Sequence, residues 1–236
     1  MELILTLDVG TTSVKACLFD RQLRQTALTS REYALQTRGV CAEVEAQVYL
    51  DAAAQCILSL PAEARARVCA VALTTQGETL LCVDRQGKAL RPAIVWLDSR
   101  AEAQAARLAA VLDRQRFYER TGLPELSGAL PLAKLLWLRE QEPESWARTD
   151  KFLLLEDYLM LWLTGRAVTE KSLLTSTGYF DLQSDDYWDE ALTLAGLDRT
   201  RLPQALACGS IVGPVLPEVA EALGLPASAC VVTGAM

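Results

Sequence analysis

Three short polar segments contain the residues whose types and spacing could support chemistry. The first, residues 8–13, reads Asp-Val-Gly-Thr-Thr-Ser. Gly10, Thr11 and Thr12 combine a flexible backbone with two hydroxyls, and the successive amides of such a turn form a concavity suited to phosphate. Asp8 could hold a hydrated Mg²⁺ against that phosphate, because this ion keeps several waters and needs only one or two carboxylates. Taken alone, the hexapeptide still favours an ordinary hairpin turn, in which these residue types are common.

The second segment, residues 74–78, interrupts two predicted strands with Thr-Thr-Gln-Gly-Glu. Gln76 and Glu78 place a carboxamide beside a carboxylate. This pair is suited to hydrogen-bonding vicinal hydroxyls, because the carboxylate accepts while the amide both donates and accepts. The alternative is a solvated loop with an exposed glutamate, and the segment alone favours that alternative.

The third segment, residues 96–100, reads Trp-Leu-Asp-Ser-Arg. The Trp96 indole could cover the apolar C–H face of a polyol, while Asp98 and Arg100 bind its oxygens or each other. The competing interpretation is a core tryptophan followed by Asp98 as a helix N-cap.

The composition excludes several classes of function. The chain has 236 residues with a formal net charge of -7, so it lacks the basic field that attracts nucleic acid. No apolar run approaches the roughly 20 residues of a membrane helix, and residues 1–10 lack the features of a signal peptide, so a cytoplasmic protein with no membrane partner is expected. The sequence contains no histidine, which excludes an imidazole base and the usual zinc sites. A general base must then be a carboxylate, or less often Lys, Tyr or Cys.

Seven scattered cysteines without a Cys-x-x-Cys pair predict buried, reduced thiols rather than disulfides or metal ligands.

Hydrophobic periodicity places the polar segments at the ends of strands. Strands are predicted over residues 3–7, 14–19, 28–35, 68–73, 79–83, 93–96 and 230–233. Helices are predicted over residues 45–60, 99–115, 132–139, 156–163, 187–194 and 217–223. The first polar segment thereby forms the tip of a β-hairpin, and the second separates two strands.

The order and spacing of the three segments resemble the N-terminal half of the FGGY family of carbohydrate kinases, which includes glycerol kinase and xylulokinase. The hairpin that resembles the family's phosphate-binding hairpin is LTLDVGTTSVKACLFD, and the block that resembles its sugar-binding strand and turn is VCAVALTTQGETLLCVDRQGKALRPAIVWLDSRA. The helical middle of the family is similar to LAKLLWLREQEPESW, KFLLLEDYLMLWLTGR and KSLLTSTGYFDLQSDDYW. The resemblance covers essentially the whole chain.

The resemblance implies an α/β fold of the ribonuclease H-like, actin/hexokinase-type ATPase class, with a mixed β-sheet, flanking helices and a helical insertion. Residues 1–236 would form the N-terminal, sugar-binding domain, with the C-terminal ATP-binding domain absent from this chain. The catalytic aspartate, the base of the family, would lie just beyond Met236, which leaves no catalytic residue within the chain.

The resemblance also implies roles for individual residues. Asp8 would organise Mg²⁺, Thr11 and Thr12 would lie near the β- and γ-phosphates of ATP together with Gly10, and Lys15 would reach phosphate. The substrate-binding residues would be Glu78, which binds hydroxyls, Trp96, which packs on the sugar, and Gln76 and Asp98 in the same pocket. ATP and Mg²⁺ are therefore the expected cofactors, and a homodimer is left open.

The sequence departs from both well-known members of the family. Gly77 stands where glycerol kinase has an arginine, the Met-His-Gly turn of xylulokinase is missing, and residues 122–134 lack the tyrosine of glycerol kinase. The expected substrate is therefore a polyol or ketose with vicinal hydroxyls and no closer identity. The competing hypotheses are a sugar-binding or regulatory module without catalysis and an actin-like or chaperone-type ATPase, against which the segment 96–100 argues.

Overall fold

A six-stranded mixed sheet forms the centre of the computed structural model, which describes residues 2–235. The strands of the chain are β1 (Leu3–Val9), β2 (Ser13–Phe19), β3 (Gln25–Glu32), β4 (Gln36–Arg38), β5 (Cys41–Val44), β6 (Val68–Thr75), β7 (Leu80–Val83), β8 (Ala93–Ile94), β9 (Lys151–Leu154), β10 (Val168–Glu170), β11 (Phe180–Asp181), β12 (Asp186–Tyr187), β13 (Gln204–Leu206), β14 (Ile211–Pro214) and β15 (Cys230–Val232). The central sheet has the order β14-β15-β6-β1-β2-β3, and a second, five-stranded sheet has the order β4-β5-β8-β7-β9.

Helices flank the sheets and form an insertion beyond β8. They are α1 (Ala46–Leu58), α2 (Ala62–Arg65), α3 (Glu102–Val111), α4 (Arg114–Thr121), α5 (Pro131–Gln141), α6 (Pro143–Arg148), α7 (Leu155–Thr164), α8 (Lys171–Leu174), α9 (Asp189–Ala195) and α10 (Pro217–Leu223). None of the helices in residues 2–235 is long and apolar enough to cross a membrane. The prediction of a mixed sheet with flanking helices and a helical insertion is confirmed.

The topology brings three strand ends to one edge of the central sheet. Strands β15, β6 and β1 run parallel to one another, while β2 and β3 continue from β1 as antiparallel neighbours. The carboxyl ends of parallel strands meet at one sheet edge, where α/β proteins bind ligands. The three carboxyl ends are Val9, Thr75 and Val232. Val9 and Thr75 are paired, so the first two polar segments lie side by side.

The alternation of side chains along β1 explains its central place. Leu3, Leu5, Leu7 and Val9 are all buried, and the residues between them are partly exposed. One face of the strand therefore packs into the core that α1 and α7 cover. A second core lies between the five-stranded sheet and the insertion helices α3, α4, α5 and α9.

Three predicted elements differ from the structure. The strand predicted over 28–35 is β3, which ends at Glu32 because its partner β2 begins at Ser13 and offers no residue beyond that pair. The helix predicted over 99–115 is divided into α3 and α4, since the Asp113 side chain accepts the Arg116 N–H at 2.9 Å and starts a new helix. Tyr187, predicted in a helix, pairs instead with Phe180 in a short strand, and the helix begins at Asp189.

All seven cysteines are free thiols, as predicted. Their predicted burial holds for Cys17, Cys56 and Cys82 but is wrong for Cys69 and Cys208, which are exposed.

Candidate functional site

Hydrogen bonds within the turn and from Tyr33 close the turn between β1 and β2. Gly10 donates its N–H to the Ser13 carbonyl at 2.9 Å, and Tyr33 donates its N–H to the Thr12 carbonyl at 3.0 Å. The Tyr33 hydroxyl also donates to the Gly10 carbonyl. Three contacts therefore hold the turn that was predicted to cradle phosphate, and its shape does not depend on a ligand.

Asp8 and Lys15 form a cross-strand ion pair at the base of this turn. They are directly opposite each other in the β1–β2 register, with Lys15 Nζ 3.3 Å from Asp8 Oδ2. Both side chains are about half exposed, at 48% for Asp8 and 52% for Lys15. A half-exposed carboxylate beside a ligand cleft fits Mg²⁺, which keeps most of its waters when one carboxylate binds it.

Glu78 is held in an unusual backbone conformation at the end of the second polar segment. Its φ of 62° lies in the left-handed region, which costs a non-glycine residue about 1 kcal/mol or more. Strain of this kind persists only where the surrounding structure enforces it, and it concentrates at functional sites. Burial raises the pKa of the Glu78 carboxyl, although a hydrogen bond with Ser176 and the charge of Lys134 partly offset the effect.

Trp96 lies at the rim of the same cleft, 38% exposed. Its indole Nε1–H donates to the Thr11 hydroxyl at 3.0 Å and so joins the third polar segment to the first. The prediction of a buried core tryptophan, the competing interpretation of this residue, is wrong.

One cleft collects most of the predicted residues. It has a volume of ≈ 460 Å³ and is lined by Asp8, Gly10, Thr11, Thr75, Gln76, Gly77, Glu78 and Trp96. Polar groups from all three segments, at positions 8 to 96 of the sequence, therefore face one space. Thr12, Lys15 and Asp98 are not among the lining residues.

Asp98 is placed beneath the cleft and not in it. The side chain is fully buried and accepts the Ala42 N–H at 2.7 Å and the Arg100 Nη2–H at 2.6 Å. Burial alone would raise the pKa of Asp98, but these hydrogen bonds outweigh it and lower the pKa below the usual range. Both oxygens are committed to the protein, which corrects the expectation that Asp98 faces the ligand. The reason is that Arg100, two residues away, binds both carboxylate oxygens of Asp98 through its backbone N–H and its guanidinium.

Two tyrosines in edge-to-face contact lie next to residues that line the cleft. Gln76 Nε2 donates to the Tyr49 hydroxyl at 3.1 Å, and the Tyr49 and Tyr33 rings meet edge to face with centroids 5.2 Å apart. Gln76 Oε1 is buried without a hydrogen-bond partner. A buried acceptor without a partner is costly, and Gln76 is one of the residues that line the cleft.

A model of the FGGY family of carbohydrate kinases, N-terminal domain, matches residues 3–236. The chain belongs to this family. It is 32% identical over 225 residues to xylulose kinase of Lactococcus lactis, covering 94% of this chain and 44% of that protein. It is 27% identical over 237 residues to gluconokinase of Bacillus subtilis, covering 98% of this chain and 45% of that protein.

Solved structures of FGGY kinases have the same fold. The crystal structure of xylulose kinase from Rhodospirillum rubrum matches 99% of this chain with a TM-score of 0.94 and 28% identity, and 49% of that chain is covered. This likeness confirms the predicted actin/hexokinase-like class. The chain spans less than half the length of the curated relatives given above. The predicted base beyond Met236 lies outside the described residues.

A fully buried lysine of this FGGY domain was not singled out by the sequence analysis. Lys134 on α5 is fully buried and donates to the Val95 carbonyl at 3.0 Å, just before Trp96 in the chain. Burial lowers the pKa of Lys134 to about 8, against the charges of Asp98 and Glu78, which raise it. The signal available was its position in the segment LAKLLW, where a lysine interrupts an otherwise apolar helix.

A buried carboxyl on α7 was also missed. Glu156 accepts the Gly234 N–H at 3.1 Å, just after β15, while its second oxygen has no partner. Burial, with a smaller effect from the charge of Glu170, raises the pKa of Glu156 to about 7. Gly234 itself passes so close to β6 that an added Cβ would lie 1.5 Å from the Leu73 carbonyl oxygen. The end of β15 is therefore fixed beside the cleft.

A larger cavity of ≈ 710 Å³ lies elsewhere, between the β10–β13 pair and the turn that joins β11 to β12. Its charged groups already have partners: Lys171 pairs with Asp185, Arg199 pairs with Asp186, and Lys151 donates to the Thr200 and Leu202 carbonyls. The residues of the three polar segments line the smaller cleft instead.

Proposed function

We propose that this chain is the N-terminal, sugar-binding half of an ATP-dependent carbohydrate kinase that phosphorylates a hydroxyl of an open-chain polyhydroxyl substrate. The observation that carries the proposal is the single cleft in which the sugar-binding candidates Gln76, Glu78 and Trp96 face the phosphate-binding candidates Asp8 and Thr11. Attack of a hydroxyl on a phosphoryl group requires both reactants within one such space, because catalysis of this transfer depends mainly on positioning and charge.

The sugar would lie against Trp96, with its hydroxyls on the second polar segment. The indole offers an apolar face at the rim, and Glu78 offers an ionised acceptor whose position is fixed by the backbone. Gln76 adds the acceptor that has no partner in the protein. These groups recognise vicinal hydroxyls without requiring a charged substrate. Xylulose and gluconate, the substrates in the names of two relatives, are both open-chain polyhydroxyl compounds and head the set to be tested.

The phosphate would lie over the turn between β1 and β2. Gly10 lets the chain bend there, and Thr11 and Thr12 add hydroxyls beside the backbone amides. Asp8 would hold Mg²⁺ through water, and the bound ion would neutralise the negative charge of the phosphate. Lys15 would balance the Asp8 charge across the two strands, at 3.3 Å.

A second domain would supply the adenine site and the catalytic aspartate. In this arrangement Glu156 and Gly234 fix the point at which the chain leaves β15, and the base would follow shortly after it. The chain of 236 residues would then bind sugar but not transfer phosphate.

The test is turnover by the full-length polypeptide, carried to the stop codon of its gene. Ketoses, polyols and aldonic acids are assayed with ATP and Mg²⁺, with ADP release as the readout. Turnover with one of them would establish the kinase and name its substrate. Sugar binding by calorimetry without turnover for any compound would contradict the kinase and favour a binding module.

A further inference from the structure

The hydrogen bond between Trp96 and Thr11 joins two functions that the proposal above treats separately. Trp96 belongs to the sugar-binding segment and Thr11 to the phosphate-binding turn, 85 residues earlier in the chain. Both residues line the cleft. Among the hydrogen bonds of residues 2–235, this is the only one that involves the Thr11 hydroxyl.

The chemistry of the two groups fixes the direction of the hydroxyl hydrogen. An indole N–H only donates, whereas a threonine hydroxyl donates once and accepts twice. Thr11 must therefore accept from Trp96, and its own hydrogen must point elsewhere. Thr11 lines the cleft, so that hydrogen is available to an acceptor bound there.

The backbone of the turn is held independently of Trp96. Tyr33 contacts the Gly10 and Thr12 carbonyls from the other side, and Gly10 closes onto Ser13. Removing the indole donor would leave the backbone in place and release only the Thr11 side chain. Loss of the indole N–H should therefore change the orientation of the Thr11 side chain without disturbing the backbone of the turn.

We propose that Trp96 is a positioning residue that acts through Thr11: its indole N–H orients the threonine hydroxyl as a hydrogen-bond donor to a phosphate oxygen of the nucleotide. This inference rests on the proposed function and adds to Trp96 a role beyond packing on the sugar. Because the same ring faces both ligands, any effect of one ligand on the affinity for the other must be reciprocal.

The experiment separates the indole donor from the aromatic ring in the full-length polypeptide. Trp96→Phe keeps an aromatic face for the sugar and removes the N–H, Thr11→Val removes the hydroxyl at constant shape, and Thr11→Ser retains it. Trp162→Phe, at a partly buried tryptophan on α7 outside the cleft, is the matched control. For each protein we would measure kcat, the sugar KM, and the affinity for Mg²⁺ with a non-hydrolysable ATP analogue by calorimetry.

Trp96→Phe should weaken binding of the ATP analogue and lower kcat by about 3- to 10-fold, the worth of one hydrogen bond, and change the sugar KM less. Thr11→Val should show at least the same loss, and adding Trp96→Phe to it should have no further effect on analogue binding, because the shared interaction is already absent. Thr11→Ser, which keeps the hydroxyl, should bind the analogue more tightly than Thr11→Val does. Trp162→Phe should bind it like the unmodified protein.

Two results would overturn the positioning role. One is a Trp96→Phe variant that loses sugar affinity but binds the ATP analogue normally, and the other is a double variant whose losses multiply. Failure of the proposed function is recognised separately, as absence of turnover by the unmodified protein with every sugar. In that case the analogue affinities of the same variants still decide whether Trp96 acts through Thr11.

Discussion

At the scale of single residues, the cleft is built from groups that the rest of the protein leaves unsatisfied or strained. Glu78 has a left-handed backbone, and Gln76 has an acceptor without a partner. Neither feature contributes to folding, and both cost free energy. A site that binds a polyhydroxyl ligand would recover this cost only when the ligand is present.

Glu78→Gly should separate stability from binding. Glycine adopts a φ of 62° without strain, so the free energy of unfolding should not fall, whereas loss of a charged acceptor should weaken sugar binding roughly 10-fold or more. Leu23→Gly is the matched control, because Leu23 has a φ of 58° on an exposed turn outside the cleft. Calorimetry and urea denaturation measure the two quantities. Unchanged sugar affinity in Glu78→Gly would refute the role of this carboxylate.

Asp8→Asn should abolish phosphoryl transfer by the full-length polypeptide while leaving sugar affinity close to that of the unmodified protein. The amide retains the size of the carboxylate but offers Mg²⁺ no charge, and the sugar contacts come from other segments. Asp51→Asn, on the exposed face of α1, is the control. An equal loss of sugar binding and turnover in Asp8→Asn would contradict the metal role.

At the scale of elements, α7 carries two adjacent buried acids into the core. Asp157 caps the helix by accepting the Leu154 N–H at 2.7 Å, and burial raises its pKa well above the usual value. Glu156 links the same helix to the residue after β15. The helix thus holds the strand end that borders the cleft, through a group that titrates near neutrality.

Glu156→Gln should flatten the dependence of stability on pH. The folded-state pKa of about 7 exceeds the unfolded value of 4.5, so the folded protein retains a proton that the unfolded chain releases. Stability should therefore fall by on the order of 3 kcal/mol as pH rises from 4.5 to 7, then level off. Glutamine removes this loss and still accepts the Gly234 N–H.

Urea denaturation at a series of pH values measures this difference. The exposed Glu63→Gln on α2 is the control and should reproduce the unmodified profile. Parallel profiles for Glu156→Gln and the unmodified protein would show that Glu156 does not titrate in this range.

At the scale of the whole molecule, a buried network of charges joins the strand β5 to the insertion. Arg100 contacts Asp98 and Glu43, while Arg91 contacts Glu43 and Glu142 at the start of α6. Both arginine side chains are only 7% exposed. The network fixes the loop that presents Trp96, because Asp98 lies two residues beyond it.

Arg100→Met should destabilise this chain by about 3 kcal/mol or more, since it leaves Asp98 fully buried without its cation. Arg116→Met is the matched control: Arg116 pairs with Glu190 at the surface, and such pairs contribute less than about 1 kcal/mol. Urea denaturation followed by tryptophan fluorescence compares the two. Equal losses would mean that the buried network adds nothing beyond a surface pair.

The sequence by itself determined the class of fold and most of the cleft. The apolar run at residues 3–7 predicted the buried strand β1, and the breaks at residues 8–13 and 74–78 marked strand ends. Parallel pairing of β1 with β6 brings these two ends together. Some short strands, such as β5 and β9, were missed, because periodicity is hard to recognise over four residues.

Tertiary structure decided which polar residues face the ligand. Asp98 and Glu78 are both carboxylates in polar segments, yet Asp98 is fully buried with Arg100, and Glu78 faces the cleft. In the sequence, Lys134 and Glu156 are charged residues on predicted helices, which are usually exposed, but packing buries both of them fully. Their roles depend on contacts between residues far apart in the chain, and such contacts exist only once the chain has folded.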